Sequence, residues 1–383
     1  MERLANTILI AIYAHPENYP PTLNAIEILA KKYDQVIVFF RANLAVNWTY
    51  PENVVIIPDG KIVSVQQQMQ LPVFKKIKLF TTFTYQLYRL YQKHQPSVVL
   101  LYDAVALLAW SNVQRILNNK PLIWYHNHDK IERHEIGKYS IGWFALRAEK
   151  KMFPRLSLFS LPSNERKQFF PMKTLMGQYS FLPNYPALSF YQRFEQQRAL
   201  KKDLNLVYQG AVNDEHGLEE IINILGERID NKTLHLTIYG SPTPTYRVKL
   251  MKLAEQYDVQ KQVHFGGRIP YRELPAYTGQ HHIGIAINKP KGIIYKTGGT
   301  ASNKIYEYAA LGLPVLYFDS THYRKHLAAH DWAFATDLTV ASLLTTLQNV
   351  CNNYQSLSRA ARKDFSEQLN FEANFQPILK QLA

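Results

Sequence analysis

Thr297-Gly298-Gly299-Thr300-Ala301-Ser302-Asn303-Lys304-Ile305-Tyr306-Glu307 brings a Gly-Gly loop, a lysine and a glutamate close together. A glycine-rich loop running into a helix start presents unbonded backbone N–H groups and the positive end of the helix dipole. That combination suits a diphosphate. Ser302 and Asn303 are both of the type that caps a helix. Glu307 falls about one turn into it. There its carboxylate can accept hydrogen bonds from two vicinal hydroxyls, as on a ribose. The plain alternative is an exposed carboxylate on a helix surface. Gly312 is a natural C-cap, and Pro314-Val315 opens a strand.

A second group is Trp124-Tyr125-His126-Asn127-His128-Asp129, which follows a strand pattern and so belongs at a strand end. His126 and His128 are both candidate catalytic residues, and the sequence does not separate them. A His-x-His-Asp cluster is also a partial metal set, but no third ligand lies at suitable spacing, so no metal is expected. A structural histidine pair is the plain alternative. Ala14-His15-Pro16-Glu17-Asn18-Tyr19-Pro20-Pro21 follows the first strand pattern. His15 and Glu17 there are candidates for reaching an acceptor hydroxyl. A stiff, proline-rich surface loop explains them equally well.

These groups need elements to hold them. Strand patterns, apolar on both faces, run over Thr7–Tyr13, Gln35–Phe40, Asn53–Ile57, Ser97–Tyr102, Pro121–His126 and Leu156–Pro162. Such runs suit buried strands of a parallel sheet. Helical spacing lies between most of them, as in Ala104–Leu117. Phe181-Leu182-Pro183-Asn184-Tyr185-Pro186 and the polar stretch Arg193–Lys202 read as a linker. The alternation restarts with strands at Asn205–Gly210, Leu234–Tyr239, Val263–Gly266, Ile283–Asn288, Pro314–Phe318 and Trp332–Thr336. Helices are expected at His216–Leu225, Tyr246–Tyr257, Asn303–Leu311 and Leu338–Asn352. The expected fold class is α/β: two Rossmann-like, doubly wound domains facing each other across a cleft, with ligands beyond the carboxyl ends of the strands. The expected domains are 1–186 and 187–369, with a C-terminal helix at about 370–383 packing back onto the first.

Asn303-Lys304-Ile305-Tyr306-Glu307-Tyr308-Ala309-Ala310-Leu311-Gly312-Leu313-Pro314-Val315 resembles the donor-binding motif of GT-B glycosyltransferases, family 4 (glycosyl transferases group 1). The resemblance extends to Val207-Tyr208-Gln209-Gly210, His216-Gly217-Leu218-Glu219, Leu236-Thr237-Ile238-Tyr239-Gly240 and Val263-His264-Phe265-Gly266-Gly267-Arg268. It implies a GT-B fold and transfer of a sugar, with retention, from a UDP- or GDP-sugar to a glycan or lipid-linked acceptor. Cell-surface polysaccharide or glycolipid synthesis is the implied setting. By position, Glu307 would bind the donor ribose. Gly299, Thr300, Ser302 and Asn303 would line the donor sugar or diphosphate, and Gly210 would let a loop approach the phosphates. Tyr239 and Gly240 fall in the matching strand-end segment. Lys304 and Arg268 would offset diphosphate charge without a bound metal or other cofactor. His128-Asp129 resembles a His-Glu pair near the donor sugar. One departure stands out: the family often carries a first glutamate where this chain has Gly299. A non-catalytic GT-B protein that binds a partner or glycan is therefore the alternative.

The 383 residues carry a formal net charge of +14. Met1–Tyr185 contributes 22 Lys and Arg against 12 Asp and Glu. The basic, aromatic stretches Phe74–Phe80 and Ile141–Leu156 suit an anionic membrane surface or inward packing of their aromatics. No nucleic-acid module is present. The lone Cys351 excludes an intramolecular disulfide. The apolar run Ile8–Ile12 lacks the flanks of a signal peptide and reads as a first strand. The expected location is cytoplasmic, peripheral on the inner face of the membrane.

Overall fold

The computed structural model describes residues 6–63, 65–117 and 119–382. Arg3, the basic residue before the first apolar run, and Ala383 lie outside them. The chain divides into one unit of Met1–Pro183 with Phe375–Ala383 and a second of Asn184–Asn374. The second unit thus starts before the expected boundary at 187 and runs beyond 369.

The first unit is a parallel sheet of β1 (Thr7–Ile12), β2 (Gln35–Arg41), β3 (Val54–Asp59), β4 (Val98–Tyr102), β5 (Leu122–His126), β6 (Leu158–Leu161) and β7 (Gln178–Phe181). Their order is β3-β2-β1-β4-β5-β6-β7. β1 lies between β2 and β4, with Ile8 opposite both Val36 and Val98. Apolar residues of β1, β2 and β4 are buried because helices cover both faces. The sequence reading missed β7. It is an edge strand whose Gln178 is exposed and whose Ser180 is polar, so it lacks a continuous apolar run. The prolines after β1 do not form a plain loop. Pro16 starts a short 3-10 turn, and Pro20 and Pro21 open the helix Pro20–Ala30, where a missing N–H costs nothing. At the other terminus the Phe375 ring meets Trp124 at 5.8 Å. Lys32 Nζ donates to the Leu379 carbonyl at 2.8 Å.

The second unit contains β8 (Asp203–Gln209), β9 (Arg228–Ile229), β10 (Lys232–Tyr239), β11 (Val263–Gly267), β12 (Ile283–Ile285), β13 (Val315–Phe318) and β14 (Ala333–Thr336). The parallel order is β11-β10-β8-β12-β13-β14, with β9 antiparallel on β10. The chain therefore leaves β8 toward β10 and later returns to its other side at β12. That reversal is a topological switch point. Three expectations change here. Arg193–Lys202 is not a free linker: Arg198 donates to the Gly279 carbonyl, and Gln355 to the Arg198 carbonyl. His216 sits in a 3-10 turn, and Gly217 at φ 67° starts the helix at Leu218. The last long helix runs Val340–Glu367, because buried Tyr354, Leu357, Ala361 and Phe365 continue its apolar stripe beyond Asn352.

Candidate functional site

The switch point between β8 and β12 gathers most of the predicted residues of the second unit. Gly210 and Gly240 follow β8 and β10 with φ of +120° and +151°. A Cβ on Gly240 would lie 2.1 Å from the Gly210 carbonyl oxygen. Only glycine lets these two strand ends approach so closely. A Cβ on Gly210 would come within 3.7 Å of Lys304 Nζ. The helix Asn303–Ala310 is bolted beneath: the Gln209 N–H donates to Tyr308 Oη at 2.9 Å.

Lys304 Nζ donates to Tyr208 Oη at 2.9 Å and sits 4.2 Å from the centre of that ring. Burial lowers its pKa to about 7, against an opposing pull from Glu307. Glu307 is buried and accepts from Gln209 Nε2 at 2.5 Å. The Gln209 amide oxygen in turn accepts from Thr278 Oγ1 at 2.6 Å. Burial raises Glu307 to about 7, moderated by Gln209, Lys304 and Tyr191. Gln209, Thr278 and Tyr191 are scattered along the chain, and only folding brings them to Glu307.

The cap expected of Ser302 or Asn303 is not formed. Ser302 occupies the cap position with φ −88° and ψ 102°, but its side chain makes no capping bond. Its own N–H is turned back to the Gly298 carbonyl at 2.8 Å. Asn303 Oδ1 is buried without a hydrogen-bond partner among the described residues. The helix start therefore lacks a cap from the Ser302 side chain, which favours an anion there. Asn184, expected in the linker, clasps this loop instead: its N–H reaches the Thr300 carbonyl at 3.0 Å and its side chain the Ala301 carbonyl at 2.8 Å.

Gly299 donates its N–H to His322 Nε2 at 2.9 Å and accepts from Tyr306 Oη at 2.7 Å. A Cβ there would meet His326 Cδ2 at 2.5 Å and His322 Nε2 at 3.0 Å. The place of a 299 side chain is thus filled by two histidines of the helix Thr321–Leu327. The sequence reading missed both. The available signal was Ser320, a helix-capping type, before a His-x-x-x-His spacing.

Two predicted residues are not drawn into this group. Arg268 is exposed just past β11, which β10 separates from β8. Tyr239 packs over Gly266, where a Cβ would lie 2.4 Å from its ring, and against Tyr277 and His281.

The first unit builds its own cluster at the switch between β1 and β4. His128 lies between parallel Tyr19 and Tyr102 rings, each 4.8 Å away, with Nε2 2.8 Å from Thr22 Oγ1. His126 Nδ1 is 2.8 Å from Ser160 Oγ. Both rings are buried. Burial, with Arg166 adding to it, takes His126 down to about 3, and His128 well below its usual value. Both are neutral imidazoles, suited to hydrogen bonding rather than to carrying charge. Asp103, unforeseen, follows β4 at φ 65°. Its Oδ1 accepts from the His128 N–H at 2.8 Å, the Asp129 N–H at 3.3 Å and Asn127 Nδ2 at 3.1 Å. Burial raises it to about 8, and Asp129 adds to the rise. His15 and Glu17 serve the loop. His15 is buried against Phe40 and accepts from the Glu17 N–H, while the Glu17 carboxylate takes the N–H groups of Asn47 and Trp48.

Residues 203–352 match the family model described as Glycosyl transferases group 1. That stretch of the second unit is similar to the group 1 glycosyltransferases. The matched stretch begins at β8 and ends inside the long helix, so it contains Lys304, Glu307, Gly299 and both histidines. The whole chain is similar in fold to sucrose-phosphate synthase from Thermosynechococcus elongatus, with a TM-score of 0.70, 14% identity and coverage of 98% of this chain and 99% of that one. It is also similar to Anabaena HepE in complex with UDP and glucose, at 0.63, 13% identity, and 98% and 99% coverage. A third is WaaG, a glycosyltransferase involved in lipopolysaccharide biosynthesis, at 0.62, 13% identity, and 97% and 98% coverage. Among curated proteins none matches by sequence. The fold is GT-B: two Rossmann-like α/β units with parallel sheets. The group 1 match and these neighbours together support a glycosyltransferase.

Proposed function

We propose that the protein moves a sugar, with retention, from a UDP- or GDP-sugar to a glycan or lipid-linked acceptor, in cell-surface polysaccharide or glycolipid synthesis. One observation carries this reading. Lys304 and Glu307 stand at the carboxyl end of β8, one turn apart on a helix whose N-cap residue, Ser302, makes no side-chain capping bond. The diphosphate lies against the N–H groups of that helix start and Lys304, and the ribose hydroxyls reach Glu307. As the sugar leaves, charge grows on the diphosphate. Preorganised N–H groups and Lys304 offset it in place of a metal. The first unit takes the acceptor.

Thermal shift with UDP, GDP and their sugars tests the reading. UDP or GDP raises the melting temperature, Glu307→Ala abolishes the rise, and a chelator leaves it unchanged. No rise with any nucleotide or nucleotide sugar refutes it. The histidines filling the space at Gly299 favour one second reading, a GT-B protein that binds a donor or glycan without transfer. Donor hydrolysis or transfer by the purified chain rules that out.

A further inference from the structure

The helix Val73–His94 overhangs the body it packs on. Its buried residues Tyr91, Leu87 and Phe83 recur at every fourth position, and half-buried Phe80 continues the stripe. Ile77 and Val73 carry the stripe on by three and then four residues. Both are exposed, and so is Phe74 beside them. The overhang has a definite place in the first unit. Tyr13, the residue after β1, meets the Phe80 ring at 6.1 Å and the Phe83 ring at 4.9 Å. Those rings therefore stand level with the carboxyl end of the sheet. The helix runs from there toward the start of β4. Ile77 and Val73 thus lie roughly 5 and 10 Å beyond that level, given the helical rise per residue.

Charge says what covers this stripe. No aspartate or glutamate occurs between Asp59 and Asp103, whereas Lys61, Lys75, Lys76, Lys78, Arg89 and Lys93 do. Lys61 follows β3, at the same end of the sheet, and Lys75 and Lys78 sit among the overhanging residues. All three are exposed. Asp59 itself is buried and paired with Arg41. An apolar groove on a protein would match Val73, Phe74 and Ile77 but leave the lysines without partners. A bilayer of anionic lipids offers both an apolar boundary and phosphates.

We propose that the first turns of Val73–His94 are a docking surface for an anionic lipid bilayer. Val73, Phe74 and Ile77 enter the headgroup boundary, and Lys61, Lys75 and Lys78 meet the lipid phosphates. Docking there sets the carboxyl end of the first unit's sheet against the lipid. Within the nucleotide-sugar reading, and resting on it, this selects the lipid-linked acceptor over a free glycan. The docking itself does not depend on that reading.

The test places a tryptophan in the overhang of the full chain, as Phe74→Trp and separately as Ile77→Trp. Val248→Trp is the comparison, at an exposed position on the helix Pro244–Gln256 of the second unit. Each protein is mixed with vesicles of phosphatidylglycerol and phosphatidylcholine whose phosphatidylcholine chains carry bromine, a contact quencher. Relative to the wild-type chain, the added emission at 74 and 77 should shift to the blue and be quenched, while that at 248 is not. Lys75→Gln with Lys78→Gln should weaken vesicle binding about tenfold or more, the scale of two lysines at an anionic surface. Absence of binding to these vesicles at physiological salt overturns the proposal, as does equal binding to phosphatidylcholine alone. Binding without quenching at 74 or 77, or with equal quenching at 248, overturns it too, since another surface then touches the lipid. If one tryptophan variant does not fold, the other decides, together with the lysine pair. Calorimetry with UDP and with GDP, without vesicles, reads the nucleotide site separately. Docking without nucleotide binding leaves this proposal standing and removes the nucleotide-sugar reading, and the reverse result does the opposite.

Discussion

Lys304 and Glu307 are both drawn to about 7 by burial, from opposite sides. Binding of a diphosphate favours the ammonium form of Lys304. Above pH 7 the free lysine is neutral and must take up a proton, so affinity falls as pH rises, by up to about tenfold per unit. Below pH 7 Glu307 is protonated and accepts ribose hydroxyls less well, so affinity falls again. UDP affinity should therefore peak near pH 7, and Lys304→Arg should flatten only the alkaline side. Titration calorimetry from pH 5.5 to 9 checks this, and an alkaline limb that persists in the arginine variant contradicts it. Asp103 gives a second residue-scale prediction. It holds a left-handed φ of 65°, accepts three N–H bonds and, raised to about 8, is mostly neutral at pH 7. Asp103→Ala should cost about 2–4 kcal/mol through orphaned donors and backbone strain. Asp103→Asn keeps the acceptor and tolerates that φ, so it should cost about 1 kcal/mol or less. Urea unfolding of the two variants distinguishes them.

At the scale of elements, the strand ends matter more than the strands. Gly240 and Gly267 both have left-handed or positive φ, at +151° and +71°. A Cβ on Gly240 would lie 2.1 Å from a carbonyl oxygen, whereas a Cβ on Gly267 meets nothing within 4 Å. Gly240→Ala should therefore lose about 2 kcal/mol or more, and Gly267→Ala only about 1 kcal/mol for its backbone. The drop in melting temperature orders the two, and equal drops would remove the close approach from the explanation. The helix Asn303–Ala310 was legible because its apolar residues, C-cap glycine and following proline all lie within one stretch. Its ties to Gln209, Tyr208 and Asn184 were not, because the bonded groups lie far apart in the chain. The helix Thr321–Leu327 was missed for the opposite reason: it is short and mostly polar, and only tertiary packing buries Tyr323 and Leu327.

For the molecule as a whole, the net charge of +14 lies mostly in the first half. The helix Val73–His94 exposes Val73 at 70%, Phe74 at 67% and Ile77 at 53%, alongside exposed Lys75 and Lys78. The same helix buries Phe83, Leu87 and Tyr91, so its later turns pack inward while its first turns present apolar and basic groups to solvent. The other basic stretch behaves differently: on Ile141–Met152 the Arg147 guanidinium stacks on Trp143 at 4.6 Å. No helix among the described residues is long and apolar enough to cross a membrane. If the chain works at an anionic lipid surface, it should sediment with phosphatidylglycerol vesicles and not with phosphatidylcholine alone. Replacing Val73, Phe74 and Ile77 by serine should weaken that binding about tenfold or more, from lost apolar burial. Unchanged sedimentation of the triple variant would assign the binding, if any, to charge alone.

The sequence by itself determined the two βα alternations, the helix with Lys304 and Glu307, and the glycines after β8 and β10. Each depends on residue type and local spacing, which period and turn chemistry record directly. Tertiary structure decided which groups face one another. It made Asn184 a clasp rather than a linker, set Glu17 to anchoring a loop, and buried His126 and His128 as neutral rings. It also filled the place beside Gly299 with His322 and His326. Those outcomes depend on which parallel strands become neighbours, and strand order is fixed by burial of both sheet faces rather than by any local pattern.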